Sequence, residues 1–214
     1  MEIRPREGGT ARKVIFMAGK KVKAVDKWKT KKWYLVRAPP IFENKEFCEV
    51  VASDDKKLIN RVVRSSLFEL GVGGASSQMA MFTSLRFRIT GVNGAEASTK
   101  LLGHEISSSF IKTFARRGKS LIHQVVDEKT KDNENLCLKI VAVTGARVSG
   151  NTRRNLRNAL VEETRKAVTE KNFDDIIQDV IYGRVSSRLF GRLKQITKMR
   201  RVEVRKSVRG EIFK

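Results

Sequence analysis

The chain has 214 residues and a formal net charge of +22 at pH 7, with 45 Lys and Arg against 23 Asp and Glu. Hydrophobic residues make up 40% of it, enough to build a folded core, so a wholly disordered chain is excluded. Two Cys argue against a disulfide scaffold and favour a reduced, intracellular compartment. The apolar segment at residues 14–18 is too short for a signal peptide, and no stretch approaches the roughly 18 apolar residues of a membrane span. This composition indicates a soluble, strongly basic protein. Its charge predicts a polyanionic partner, of which nucleic acid is the commonest.

The positive charge is concentrated at the two ends of the chain. Residues 1–37 and residues 184–214 each carry a net charge of +9, whereas residues 38–144 carry only +3. A solubilising surface is one interpretation, but nine excess cations within 37 residues repel one another unless an anion lies beside them. The distribution therefore predicts a nearly neutral folded body with basic ends.

Strand signals dominate the first two thirds of the chain. Residues 1–32 have few large apolar side chains and are interpreted as a basic, extended N-terminal tail. Apolar and β-prone runs predict strands at residues 33–36, 47–51, 61–70, 79–92, 95–102, 121–128 and 136–144. The run at 79–92 slips by one residue at Thr83-Ser84, which suggests a bulge, and Asn93-Gly94 predicts a hairpin turn after it. Ile106, Phe110 and Phe114 follow a helical period that ends before Gly118, which predicts one inserted helix.

Helical periodicity takes over after Gly145. Apolar faces predict three helices, around residues 156–168, 173–181 and 185–196, the second capped by Asn172 and ended by Gly183. Residues 202–205 return to strand alternation. The predicted fold is α+β: a mostly antiparallel, β-rich body at 33–144 with an inserted helix, then C-terminal helices and a last strand at 145–208 packed on the body, and a short tail at 209–214.

Sequence motifs for catalysis are all incomplete. Gly118-Lys119-Ser120 resembles the end of a phosphate-binding loop, but Thr113 stands where that loop needs a glycine. His104-Glu105 begins like a zinc-protease helix, but Ser108 stands where the second His is needed. The sequence therefore predicts no catalytic residue, no metal site and no cofactor.

The basic clusters are the candidate RNA-binding residues. In the tail, lysines surround Trp28, and an aromatic ring among cations suits stacking on bases beside neutralised phosphates. These tail residues are Lys20, Lys21, Lys23, Lys27, Trp28, Lys29, Lys31 and Lys32. Trp33 follows closely, and whether it belongs to the core or to this cluster stays open.

Further candidates lie in the folded part. Arg184, Arg188 and Arg192 recur every four residues, and three like charges on one helical stripe favour an adjacent anion, although arginines on a solvated face are an alternative. Arg116, Arg117 and Lys119 follow the inserted helix, whose C-terminal dipole also favours cations. The remaining candidates are Arg153, Arg154 and Arg157 in the first late helix and Arg200, Arg201, Arg205 and Lys206 near the last strand.

Several segments carry a family resemblance in a fixed order. They are residues 25–34 (VDKWKTKKWY), 36–39 (VRAP), 103–105 (GHE), 116–120 (RRGKS), 126–127 (VD), 130–132 (TKD) and 201–206 (RVEVRK). With these, the chain resembles the S3Ae family of small-subunit ribosomal proteins of archaea and eukaryotes over residues 24–208. Asn133-Glu134-Asn135 departs from the glycine and aromatic residue that the family usually has in that turn.

The resemblance implies a structural role without catalysis. It implies a β-rich body with C-terminal helices, a cytoplasmic place on the platform of the small ribosomal subunit near the messenger exit, and no membrane. The implied partners are small-subunit ribosomal RNA and neighbouring platform proteins, with messenger RNA near the exit as a further candidate. An RNA-processing or RNA-modifying factor that uses the same basic patches is the alternative.

Overall fold

The structure, a computed structural model, describes residues 26, 28–71 and 77–210. The chain divides into two units, Met1–Thr30 and Lys31–Lys214. In the first unit, the Asp26 carboxylate accepts a hydrogen bond from the Trp28 backbone N–H, and the Asp26 carbonyl accepts one from Lys29. Asp26 thereby forms a tight turn at the end of this unit.

The second unit is built on a sheet that has eight strands within the described residues. They are β1 (Lys32–Arg37), β2 (Glu46–Ala52), β3 (Val62–Ser66), β4 (Thr83–Asn93), β5 (Glu96–Ile106), β6 (Leu121–Lys129), β7 (Asn135–Thr144) and β8 (Met199–Gly210). The strand order is β2-β1-β5-β8-β7-β6, with β4 pairing β5 and β3 pairing β4. All pairs are antiparallel except β1 with β5, so the predicted α+β, mostly antiparallel class is confirmed.

Five α-helices complete the described part of the chain. They are α1 (Ser77–Phe82), α2 (Ser108–Lys112), α3 (Gly150–Thr169), α4 (Phe173–Ile181) and α5 (Arg184–Lys194). The three long ones lie between β7 and β8 in the chain and bury one apolar face each against the sheet. Leu160, Ile177 and Leu189 belong to the same core cluster as Leu138 and Ile140. Among the described residues, no helix combines the length and apolarity needed to cross a membrane.

The hairpin predicted at Asn93-Gly94 is confirmed, and the predicted strands at 121–128 and 136–144 pair in a second hairpin. Gly94 has a φ of 63° in the turn that pairs Asn93 with Glu96. In the second hairpin Lys129 pairs with Asn135, and Asn133 takes the left-handed conformation in the turn. Gly and Asn suit the left-handed positions of these two turns because both tolerate positive φ.

The prediction of one strand over 79–92 is wrong in its first part. Helix α1 ends at Phe82 and β4 begins at Thr83, so the slip in alternation at Thr83-Ser84 marks a change from helix to strand and not a bulge. In this helix Ala80 is buried while Met81 is 69% exposed. So short an apolar run does not distinguish the helical period of about 3.6 residues from the strand period of about two.

Several other boundaries differ from the sequence expectation, three of them as follows. Strand β3 ends at Ser66, because the Glu69 carboxylate accepts hydrogen bonds from the Ser66 backbone and the Ser65 hydroxyl and thereby holds a turn. Helix α2 is shorter than predicted, since Ile106 still belongs to β5. Strand β8 begins at Met199 and runs to Gly210, into the expected tail at 209–214.

The predicted start and end of α4 are confirmed in position. Asn172 is the N-cap, but its side chain makes no capping bond; the carboxylate of Asp132 accepts a hydrogen bond from Phe173 N–H at 3.3 Å instead. Gly183 has a φ of 73° between α4 and α5, a conformation that favours glycine. The cap of α4 is thus supplied by the β6–β7 hairpin and not by the residue before the helix.

The segment Gly103-His104-Glu105 joins β5 to β8. Gly103 has a φ of 145°, and a Cβ there would lie 2.2 Å from the Ser207 carbonyl oxygen. The buried His104 ring places Nδ1 2.6 Å from Ser207 Oγ and Nε2 2.9 Å from the Val204 carbonyl oxygen. Lys206 Nζ lies 3.2 Å from Glu105 Oε1. A single pair, Glu105 with Lys206, marks the strand register here, so side chains hold the two strands together.

Candidate nucleic-acid interface

Three loops meet at one end of the sheet. The loop before β6 is tied to the loop after β7, because Val148 N–H donates to Ser120 Oγ at 3.2 Å. The loop after β7 is tied to the segment before β8, because Gly145 N–H donates to the Lys198 carbonyl at 2.7 Å. None of the segments 106–126, 145–161 and 195–202 contains an Asp or Glu. The fold therefore gathers three acid-free segments in one place.

Six cations on these loops form what we call the junction face. They are Arg116, Arg117, Lys119, Arg147, Lys198 and Arg200, and all are exposed except the half-buried Lys119. Within the part of the chain that the structure describes, none of the six forms an ion pair with a carboxylate. Desolvation, followed by repulsion from Arg200 and Arg116, lowers the pKa of Lys119. The junction face therefore carries positive charge that the described residues do not neutralise.

Helix α3 begins at the junction face and adds to its positive potential. Ser149 caps the helix by accepting a hydrogen bond from Thr152 N–H at 3.3 Å. Arg153, Arg154 and Arg157 are exposed in its first half and form no ion pair with any described residue, and the first acidic residue of the helix is Glu162. The partial positive charge of a helix N-terminus acts in the same direction as these arginines.

The candidates of the last strand have different environments. The Arg201 guanidinium lies over the rings of Phe110 and Phe114, 5.0 Å and 4.5 Å from their centroids, and is half-buried. Lys206 is held by Glu105 next to β5, whereas Arg205 is exposed. Arg200 is thus the one candidate of the four that lies on the junction face.

The arginine stripe of α5 is paired with carboxylates. Arg184 lies 3.1 Å from Asp179, Arg188 lies 3.6 Å from both Glu163 and Glu170, and Arg192 lies 3.9 Å from Glu163. The Glu163 side chain is only 15% exposed, so α3 presents it directly to α5. The three arginines do share one face, as predicted, but carboxylates of α3 and α4 already lie beside them.

The N-terminal candidates are only partly described. Lys20, Lys21, Lys23 and Lys27 lie outside the described residues. Trp28 is 72% exposed in the first unit, where Lys29 is exposed too. In the second unit, Lys31 and Lys32 are exposed and Trp33 is 66% exposed, so the alternative that Trp33 belongs to the core is wrong.

Sequence reasoning missed two members of the junction face. Arg147 and Lys198 stand alone in their segments, and no cluster marks them. Their signal is the lack of nearby acids: residues 184–202 contain no Asp or Glu, and neither do residues 145–161. A search for acid-free stretches finds both residues, although only the fold shows that they lie on one surface.

Comparisons with known proteins give one consistent result. The model of a family described as the Ribosomal S3Ae family matches residues 19–209. A small ribosomal subunit protein eS1 of Staphylothermus marinus is 35% identical over 190 residues, which cover 89% of this chain and 88% of that protein. Proteins of the same name from Sulfolobus acidocaldarius and Methanothermobacter thermautotrophicus are 34% and 31% identical, each over 85% of this chain and 91% of its own length. The chain therefore belongs to the Ribosomal S3Ae family, a family of ribosomal proteins and not of enzymes.

Proposed function

We propose that this chain is a structural protein of the small ribosomal subunit and that its junction face binds the phosphates of ribosomal RNA. Membership of the family and the names of its relatives support the ribosomal role. The observation that carries the RNA contact is the gathering of six cations, without carboxylate partners among the described residues, on loops fixed by hydrogen bonds.

Phosphate binding is favoured by two properties of the junction face, its unneutralised positive charge and its fixed loops. Burial, followed by the charges of Arg200 and Arg116, lowers the pKa of Lys119, so an anion that lies among these cations relieves their repulsion. Counterions released on binding add to that gain in free energy. Because the loops are already held in place, little conformational entropy is lost when RNA binds. Phosphate contacts of this kind position a protein on RNA without reading its sequence.

The other candidate residues extend this contact. Arg153, Arg154 and Arg157 continue from the junction face along α3. We expect the lysines and Trp28 of the tail at residues 1–32 to bind RNA as well. The stripe on α5 contributes less per cation, because Glu163, Glu170 and Asp179 compete with phosphate. For the domain organisation we propose a basic tail, a β-rich body and a helical segment closed by the last strand.

The position on the platform near the messenger exit is the finer part of the proposal. This position rests on the family resemblance. The proposed contacts to neighbouring platform proteins and to messenger RNA rest on the same resemblance. The side chains of the junction face are all cations, which suits phosphate binding and not an RNA-processing or RNA-modifying reaction. We therefore expect the protein to act in the cytoplasm, within the small subunit.

The salt dependence of RNA binding tests the proposal. We expect the variant R116Q/K119Q/R147Q/R200Q to bind a small-subunit ribosomal RNA fragment more weakly, with the slope of log K against log salt reduced by about 0.7–0.9 for each phosphate that the variant no longer neutralises. The matched control R184Q/R188Q/R192Q removes cations that already have carboxylate partners, so its slope should change less per cation. An unchanged slope in a junction-face variant with wild-type thermal stability would contradict the proposal.

A further inference from the structure

A cleft of about 420 Å³ lies between the α4–α5 corner and β8. Its volume falls within the range of about 300–1,000 Å³ that is typical of small-molecule sites. Tyr182 and Phe190 supply aromatic surface to it, and Ser186 and Glu203 supply polar groups. Arg200 and Arg201 also line it. A cleft with both aromatic and polar groups suits a flat, partly polar ligand.

The carboxylate of Glu203 is held in a fixed position in this cleft. Its Oε1 accepts a hydrogen bond from Arg201 Nε at 3.0 Å, and its Oε2 accepts one from the Ser186 hydroxyl at 3.4 Å. Arg201 is itself fixed over the rings of Phe110 and Phe114. The Glu203 side chain is 15% exposed, so it is an acceptor already oriented by its neighbours.

The cleft is continuous with the junction face. Arg200 and Arg201 line both this cleft and a smaller one of about 190 Å³ that Arg116 also lines. An RNA strand whose phosphates lie against Arg116 and Arg200 therefore brings an adjacent nucleoside to the mouth of the larger cleft. Unpaired bases are the part of RNA that proteins hold by aromatic packing and by hydrogen bonds to the base edge.

We propose that this cleft holds one unpaired guanine of the RNA, packed against Tyr182 with its Watson–Crick edge at Glu203. The proposal rests on the proposed function, since the junction face delivers the strand. Guanine presents two adjacent donors on that edge, N1–H and the N2 amino group, to a carboxylate that only accepts. Adenine and cytosine each place an acceptor beside their amino group, and uracil places carbonyls on both sides of its N–H, so all three match Glu203 less well.

Binding of short RNAs to the full chain tests this inference. The probes are eight-nucleotide oligouridines with G, A, C or U at one central position, measured by fluorescence anisotropy at several salt concentrations. We expect the G probe to bind at least about fivefold more tightly than the other three. Inosine in place of the guanine, which lacks only the N2 amino group, should lose much of that preference.

Two protein variants assign the preference to the cleft. Glu203→Gln should reduce the G preference without lowering the salt slope, since it removes no cation. Tyr182→Ala should weaken the binding of all four probes. The matched control is Glu128→Gln, because Glu128 also pairs with an arginine, Arg165, but lies outside the cleft. The inosine probe gives the same test without a substitution in the protein, should Glu203→Gln fold poorly.

The outcomes separate the two proposals. Equal affinity for all four probes with a normal salt slope would overturn the guanine site and leave the proposed function intact. A G preference that persists unchanged in a folded Glu203→Gln variant would place recognition elsewhere and also overturn the inference. If no probe bound in a salt-dependent way, the proposed function and the guanine site would fail together.

Discussion

At the scale of single residues, His104 shows how one buried polar side chain holds two strands together. Both of its ring nitrogens have partners on β8, and the backbone N–H of the same residue donates to Ser207 Oγ at 2.9 Å. Gly103 lets the strands come this close, since any side chain there would collide with the Ser207 carbonyl. The sequence Gly103-His104-Glu105, which suggested a broken zinc motif, is a strand-joining element.

This geometry predicts a pH dependence of stability. Burial lowers the pKa of His104 from 6.5 to about 4, against smaller opposing effects of the Val204 carbonyl and the Glu105 charge. Between these two values the unfolded chain binds the proton and the folded chain does not, so the free energy of unfolding falls as the pH drops from about 6.5 to about 4. The loss attributable to His104 amounts to about 3 kcal/mol at most.

Urea denaturation of the wild type and of His104→Gln across this pH range measures the effect. The variant is less stable at pH 7 but should lack this part of the pH dependence, while acidic groups contribute equally to both proteins. Parallel pH profiles would contradict the assignment. An NMR titration of His104 in the wild type, which should show no protonation above about pH 5, gives the same answer without a substitution.

At the scale of elements, the contact between α3 and α5 decides what the arginine stripe does. Glu163 lies opposite Arg188 and Arg192 and also 3.4 Å from Lys166, so one poorly exposed carboxylate serves three cations. The arginines of the stripe therefore mainly link α5 to α3 through Glu163. Only part of their charge is available to bind RNA.

Replacing Glu163 with Gln should have two opposite effects. The free energy of unfolding should fall by about 0.5–1 kcal/mol, because exposed arginines lose a carboxylate partner. The affinity for RNA at low salt should rise, because the same arginines then face solvent without a competing carboxylate. The matched control is Glu162→Gln, an exposed neighbour that forms no ion pair with the described residues. Identical behaviour of the two variants in denaturation and RNA binding would contradict this account of the stripe.

Most elements could be predicted from their patterns, including the short strands β1 and β2, but helix α1 could not. The β4–β5 and β6–β7 hairpins and the three late helices follow from alternation, turn residues and apolar faces. Helix α1 escapes prediction because six residues are too few to separate a helical period from a strand period. The partners of the stripe could not be predicted either, since Glu163 lies 25 positions before Arg188 and meets it only through helix packing.

At the scale of the whole molecule, strand order creates the candidate site. The pairing of β6 with β7 brings Ser120 to Thr144, and the pairing of β7 with β8 brings Gly145 to Lys198. Four members of the junction face are among the residues predicted from sequence, but their convergence is not, because no local pattern indicates which strands become neighbours. Basic composition thus predicts the type of partner, and the fold selects the surface.

Incorporation of the protein into small ribosomal subunits tests the central claim most directly. In cells whose only copy carries R116Q/K119Q/R147Q/R200Q, we expect the protein to be depleted from the small-subunit fractions of a sucrose gradient and the level of small subunits to fall. The R184Q/R188Q/R192Q control should be incorporated more fully. In the wild type, carboxylates already neutralise the three arginines that this control replaces. Full occupancy of the junction-face variant in a normal amount of small subunits would contradict the account.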